Sequence, residues 1–182
     1  CFPKDVKALV STANAINYSP ALLEAVEAVN YRQKKKLFTH LNNHFSGQLT
    51  GKTIAIWGLA FKPQTDDMRE ASSIELMQSL WQAGAKVQAY DPEAMEECQR
   101  IFAEQDSLSL AGTKESALKN ADALVICTEW SQFRAPDFDL IGNTLSNKVI
   151  VDGRNLYDPQ LMKKRGYSYY AIGRGDSVKK SS

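Results

Sequence analysis

TIAIWGLAFKPQTDDMREASSIELM, residues 53–77, is the stretch whose reading decides the fold. Its first five residues, TIAIW, are rich in β-formers, and they lie between Gly51 and Gly58. That composition predicts a strand. The pattern then changes period. SSIELMQSLWQAG, residues 72–84, places Ile74, Met77, Leu80 and Trp81 on one helical face and ends at Gly84. A strand, a turn and an amphipathic helix in that order make the first unit of an alternating α/β domain.

Reading outward, the alternation continues. KVQAYDP (86–92) is a second strand, and MEECQRIFA (95–103) a second helix. SLAGT is a short third strand. KESALKNA leads into ALVICT (123–128), an apolar run with the look of a fully buried strand. KVIVDGRN (148–155), LMKKRGY and SYYAIG close the series. Strands that are apolar on both faces and separated by helices predict a parallel sheet covered on both sides. No internal repeat or low-complexity segment interrupts it, and the terminal SVKKSS reads as a frayed tail.

Upstream of residue 48 the rhythm is different. Residues 1–14 read as a short connection with one helical turn, VKALVSTA. Ser19 is a candidate N-cap, with Pro20 at the first helical position. Leu22, Val26, Val29, Leu37 and Leu41 follow at nearly helical spacing, with Gln33 and the run Lys34-Lys35-Lys36 inside the same segment and Gly47 as its stop. A helix over 19–46 is long for a globular domain, which suggests that it spans between domains or packs on a partner chain.

Composition narrows the function classes. The chain has 182 residues, 43% of them hydrophobic and 24% charged. That is ordinary for a globular protein. Lys plus Arg number 22 and Asp plus Glu 21, a net charge of +1. This balance gives no electrostatic reason to expect nucleic acid or an acidic membrane as partner. No apolar run approaches the roughly 20 residues that span a bilayer, and CFPKDVK at the start lacks the apolar core of a signal peptide. Cys1, Cys98 and Cys127 are far apart and form no CxxC pair. They argue for a reducing, cytoplasmic setting and against a disulfide framework or a metal site. The chain begins without Met, in the middle of a motif, and reads as a piece of something longer.

In an open α/β sheet, ligands bind beyond the carboxyl ends of the strands. Three segments fall there. The first, residues 58–69, follows the first strand, where a phosphate-binding turn would lie. Only Gly58 is a glycine, so the loop is not a G-x-G-x-x-G dinucleotide turn. Lys62 and Arg69 are candidate cationic donors instead. The second is Tyr90-Asp91, where an acid often takes a ribose hydroxyl. The third is Asp152-Gly153-Arg154, where a glycine lets the chain turn and the arginine can reach a ligand. Each has a plainer reading: a solvated loop charge, an Asp-Pro turn, or a surface pair of Asp152 with Arg154. Cys1, followed by Lys4 and Asp5, has the elements of an activated thiol, namely a cation to favour the thiolate and a carboxylate to order water. The plain alternative is an accidental neighbourhood.

Three segments in the same order carry a resemblance. CFPKDVKAL at the start, GLAFKPQTDDMREASSIELM in the middle and VIVDGRNLYDP near the end closely resemble the UDP-glucose 6-dehydrogenase family, the UDP-glucose/GDP-mannose dehydrogenases. The likeness extends over residues 1 to about 173. It implies an enzyme that oxidises UDP-glucose to UDP-glucuronate with two NAD⁺. It also implies an N-terminal NAD-binding Rossmann domain, a central helix forming a homodimer core, and a C-terminal Rossmann-like domain for UDP. On this chain the first 47 residues would be the catalytic-Cys segment and the dimerisation helix (19–46), and residues 48–182 the UDP-binding domain. Residue by residue, Cys1 resembles the thiol that traps the aldehyde and Asp5 the acid that assists water. Phe61, Lys62 and Arg154 resemble substrate-binding positions, and Lys4 and Arg69 resemble positions that contact NAD. The glycine-rich NAD loop and the catalytic lysine and glutamate of the family's first domain are not in this chain, so the chain alone is expected to be inactive. Sister enzymes acting on UDP-N-acetylmannosamine or GDP-mannose share the plan. A non-catalytic UDP-binding and dimerisation module, or an NAD-binding regulatory domain, are readings from other classes.

Overall fold

A computed structural model describes residues 2–174. The strands are β1 (Thr53–Trp57), β2 (Lys86–Tyr90), β3 (Leu108–Leu110), β4 (Ala123–Ile126), β5 (Val149–Asp152) and β6 (Ser168–Ala171). They form one sheet in the order β3-β2-β1-β4-β5-β6, every neighbouring pair parallel. The helices are α1 (Phe2–Ala15), α2 (Ala21–Lys34), α3 (Lys36–His44), α4 (Ser72–Gln82), α5 (Met95–Ile101), α6 (Phe138–Thr144) and α7 (Pro159–Lys164). Short 3-10 turns occur at Ser116–Leu118 and Ser131–Phe133.

The alternation of each central strand explains the layering. Ile54 and Ile56 of β1, Val87 and Ala89 of β2 and Val125 of β4 point to one face. There they meet Leu37 and Leu41 of α3, Leu76, Met77 and Leu80 of α4, and Cys98 of α5. Ala55 and Trp57 of β1, Leu124 and Ile126 of β4 and Ile150 of β5 point to the other face, against Phe133, Ile141 and Met162. Each buried Leu, Ile or Phe contributes about 1.5–3 kcal/mol of transfer free energy, so the two slabs hold the sheet from both sides. The Rossmann-like α/β architecture expected from the sequence is what forms.

The N-terminal region differs from the expectation. Residues 2–15 are a full helix rather than one turn. Val6, Val10 and Ala13 supply a stripe at helical spacing, and Val6 is buried. Asn17, at φ 56°, closes this helix, with Tyr18 N–H donating to Ala13 O at 2.9 Å. Ser19 is not the cap of the next helix. α2 begins at Ala21 behind Pro20, without a side-chain cap. The single helix expected over 19–46 is divided at Lys35. The reason is burial: α3 anchors Leu37 and Leu41 in the core, one turn apart, whereas no residue of α2 is buried. Two compact units result, residues 1–36 and 37–182. Gly47, at φ 79°, ends the segment as expected, its N–H donating to Asn42 O at 2.8 Å.

Candidate functional site

The strand order reverses between β1 and β4. The loops leaving these two strands therefore diverge, and a crevice opens at their carboxyl ends. The segment that organises it is Cys127-Thr128-Glu129-Trp130, immediately after β4. Cys127 O accepts from Arg154 Nε at 2.7 Å. Thr128 Oγ1 donates to Ala60 O at 2.6 Å. Glu129 Oε2 lies 3.0 Å from Arg154 Nε. Trp130 Nε1 donates to Asp91 Oδ2 at 3.1 Å. Four consecutive residues thus tie the loops after β1, β2 and β5 to the end of β4.

Gly58 is required where β1 meets this segment. Its φ is +92°, and a Cβ there would stand 2.5 Å from Thr128 Cβ. Only glycine meets both conditions. Gly153 is needed for space rather than for turning. Its Cβ would meet Ile126 O at 2.8 Å, and its φ is not in the left-handed region.

Two buried aspartates set the loops. Asp91 is 1% exposed and accepts five hydrogen bonds. Leu59 N–H, Ala60 N–H and Trp130 Nε1 donate to Oδ2, while Glu93 N–H and Ala94 N–H donate to Oδ1. Both oxygens are consumed by the protein, which corrects the expectation that Asp91 takes a ribose hydroxyl. Asp152 is equally enclosed. It accepts from the backbone N–H groups of Arg154, Leu156 and Tyr157 and from Tyr169 Oη. Its carboxylate holds the D-G-R turn by the backbone and does not pair with the Arg154 guanidinium. Burial, with Asp152 beside them, pushes the Tyr157 and Tyr169 phenols well above their ordinary range.

The sequence-derived site residues fall as follows. Phe61 and Arg154 come together: Arg154 Nη2 donates to Phe61 O at 3.4 Å. Phe61 is 37% exposed. Lys62 follows it, exposed and without a hydrogen bond or ion pair to any described residue. Arg69 lies further along the same loop and forms a bidentate pair with Asp67, Nε–Oδ1 at 2.9 Å and Nη2–Oδ2 at 2.7 Å. These bonds lower the Asp67 carboxyl to about 2. Lys4 and Asp5 are exposed on α1, in the other compact unit. Cys1 lies outside the described residues. Cys127, under Arg154, is buried and its thiol is pushed up to about 12 by desolvation, so it contributes its carbonyl rather than its sulfur. Glu129 and its neighbours escaped the sequence reading. Their signal was position: polar groups directly after an apolar strand on the switch-point side of the sheet.

Among the described residues, no helix is long and apolar enough to cross a membrane, and no cluster of His, Cys, Asp and Glu is arranged to hold a metal ion.

The parallel sheet in this order, with the loops of its strands meeting at the switch point, defines a Rossmann-like domain. The chain belongs to the UDP-glucose/GDP-mannose dehydrogenase family: residues 55–159 match that family's UDP binding domain. It is 46% identical over 177 residues to a UDP-glucose 6-dehydrogenase of Pseudomonas aeruginosa, which covers 96% of this chain and 39% of the relative. Among solved structures it superposes on a UDP-glucose dehydrogenase of Pyrobaculum islandicum with a TM-score of 0.79 at 30% identity, over 98% of this chain and 37% of the other. It also superposes on a UDP-D-ManNAc dehydrogenase of Pyrococcus horikoshii, with a TM-score of 0.76 at 26% identity, over 97% and 38%. The chain spans about two fifths of the length of the curated relatives it matches.

Proposed function

We propose that this chain is the nucleotide-holding, C-terminal part of a dehydrogenase that oxidises UDP-glucose to UDP-glucuronate. The observation that carries the reading is the anchoring of Arg154. Its Nε is held by Cys127 O, and its Nη2 bridges to Phe61 O across the switch-point crevice. Nη1 has no partner among the described residues, so the outer edge of the guanidinium is available to a phosphate oxygen. In this reading Arg154 and Lys62 hold the diphosphate, and the exposed Phe61 ring offers a face to the base or sugar.

NAD is the cofactor that the family resemblance implies, and it would supply the hydride acceptor. The sheet of this chain does not fit a dinucleotide pyrophosphate. The turn after β1 carries a single glycine, and Asp91 has no oxygen left for a ribose. The dinucleotide cradle is therefore assigned to another domain of the whole enzyme; Lys4 on the first unit and Arg69 on the second are the proposed NAD contacts of this chain, Arg69 being paired here with Asp67. Cys1 is the thiol proposed to hold the sugar C6 carbon between the two oxidations, so that the aldehyde does not escape, and Asp5 the carboxylate that orders the attacking water. The segment 19–46 is proposed as the homodimer contact. Supporting this, Leu22 and Tyr31 of α2 are 78% and 54% exposed. The enzyme would work in the cytoplasm.

Calorimetry of the 182-residue chain separates the readings. UDP binds, NAD⁺ binds more weakly, and Arg154→Ala weakens UDP at least tenfold. Tighter binding of NAD⁺ than of UDP would overturn the assignment of the crevice. In the whole enzyme, two NADH are released per UDP-glucose, and replacing the Cys1 thiol abolishes turnover. Turnover of UDP-N-acetylmannosamine or GDP-mannose in place of UDP-glucose would reassign the substrate within the family.

A further inference from the structure

Glu129 is the member of the segment after β4 whose functional group is not spent on the fold. Cys127, Thr128 and Trp130 each make a hydrogen bond to a neighbouring loop. Glu129 makes none. Its Oε2 is buried, 3.0 Å from Arg154 Nε, and yet accepts no hydrogen from any described residue. The cause is simple stoichiometry. Nε carries one hydrogen, and that hydrogen goes to Cys127 O at 2.7 Å. Charge attraction to Arg154 holds the carboxylate in place without satisfying it. Oε2 itself is closed to solvent, but the side chain as a whole is 35% exposed, so Oε1 is the oxygen of this carboxylate that a ligand can reach.

An ionised carboxylate only accepts hydrogen bonds, and one left without donors at a binding crevice is costly unless a ligand or water supplies them. A phosphate is the wrong partner, because it brings negative charge and acceptors only. A hydroxyl is the right one. The acid at the end of β2, which takes ribose hydroxyls in dinucleotide sites, is disabled here because both Asp91 oxygens are consumed. The arrangement therefore moves the acceptor from the end of β2 to the end of β4, beside the arginine proposed for the phosphates.

We infer that Glu129 is a specificity-determining residue, whose carboxylate accepts a hydrogen bond from a sugar hydroxyl of the nucleotide while Arg154 binds its phosphate. The inference rests on the reading of the crevice as a uridine-nucleotide site. The hydroxyl belongs either to the ribose or to the hexose, and deoxy analogues tell the two apart.

The test is calorimetric titration of the 182-residue chain and its Glu129→Ala and Glu129→Gln variants with UDP, 2′-deoxy-UDP, 3′-deoxy-UDP and UDP-glucose. If the ribose is the donor, loss of one ribose hydroxyl weakens binding to the parent about tenfold or more, the range of a hydrogen bond to a charged group. The same loss changes binding to the Ala variant less than twofold. The Gln variant, which keeps an acceptor oxygen without the charge, falls between. If the hexose is the donor, the deoxy analogues match UDP, and UDP-glucose binds the parent more tightly than UDP by a factor that vanishes in the Ala variant. Each comparison is made within one variant, so any disturbance of Arg154 cancels from the ratio. The inference is overturned if the Ala variant keeps the parent's full preference for a hydroxyl-bearing ligand. It is equally overturned if the parent shows no such preference, or if the variants weaken every ligand by one common factor. Failure of the parent to bind UDP at all would overturn the crevice assignment itself, a distinct result.

Discussion

Arg154 reaches the crevice through a chain of local causes. Asp152 fixes its backbone N–H, Gly153 leaves the space for that turn to lie against Ile126 O, and Cys127 O directs the guanidinium. A lysine at 154 would keep the charge and lose the planar fork on which this geometry depends. The thiols of Cys98 and Cys127 are inert. Burial raises Cys98 and Cys127 from an ordinary 9.0 up to about 12. In the folded chain neither reacts with a thiol reagent at neutral pH, and both react once urea unfolds it; counting thiols with a chromogenic disulfide checks this. The same shift makes stability depend on pH. Because the folded pKa is raised, the contribution is present below pH 9 and declines as pH rises toward about 12, where the unfolded chain has released protons that the folded one retains. Urea midpoints should therefore fall between pH 9 and pH 12, and less steeply in a Cys98→Ala, Cys127→Ala double variant.

At the scale of elements, the loops after the strands are set by buried carboxylates. Asp91 joins the end of β2 to the start of the β1 loop, to the turn before α5 and to Trp130. Asp91→Asn keeps the shape but turns an amide N–H₂ toward backbone N–H donors. That change should cost about 3 kcal/mol in urea unfolding and weaken UDP binding, because Leu59 and Ala60 lead directly into Phe61. Unchanged stability in this variant would show that the clamp is dispensable. The division between α2 and α3 follows the same logic of anchorage. Helical spacing runs through both, but Leu37 and Leu41 find a core and the residues of α2 do not. α6 escaped the sequence reading because it is short, although Asp137, whose Oδ1 accepts from Asp139 and Leu140 N–H, marks its start.

For the whole molecule, the boundary between compact units at residues 36 and 37 gives a direct experiment. Deleting residues 1–36 should leave a cooperatively unfolding domain that still binds UDP. Deleting through Ser46 removes Leu37 and Leu41 from the core, a loss of about 2–5 kcal/mol for each by analogy with large-to-small substitutions, which most domains of this size cannot absorb. Equal stability of the two truncations would contradict the placement of α3 in the sheet unit. The sequence alone determined the alternating parallel sheet, because apolar period, glycine stops and β-branched runs are local properties of the chain. It also singled out Phe61, Lys62 and Arg154, because they sit in contiguous motifs. Tertiary structure alone decided that Asp91 is consumed by the fold, that Arg154 turns to Cys127 O rather than to Asp152, and that Glu129 Oε2 has no donor among the described residues. Those outcomes depend on which loops meet at the point where strand order reverses, and residues about 30 to 90 positions apart become hydrogen-bond partners there only once the sheet has closed.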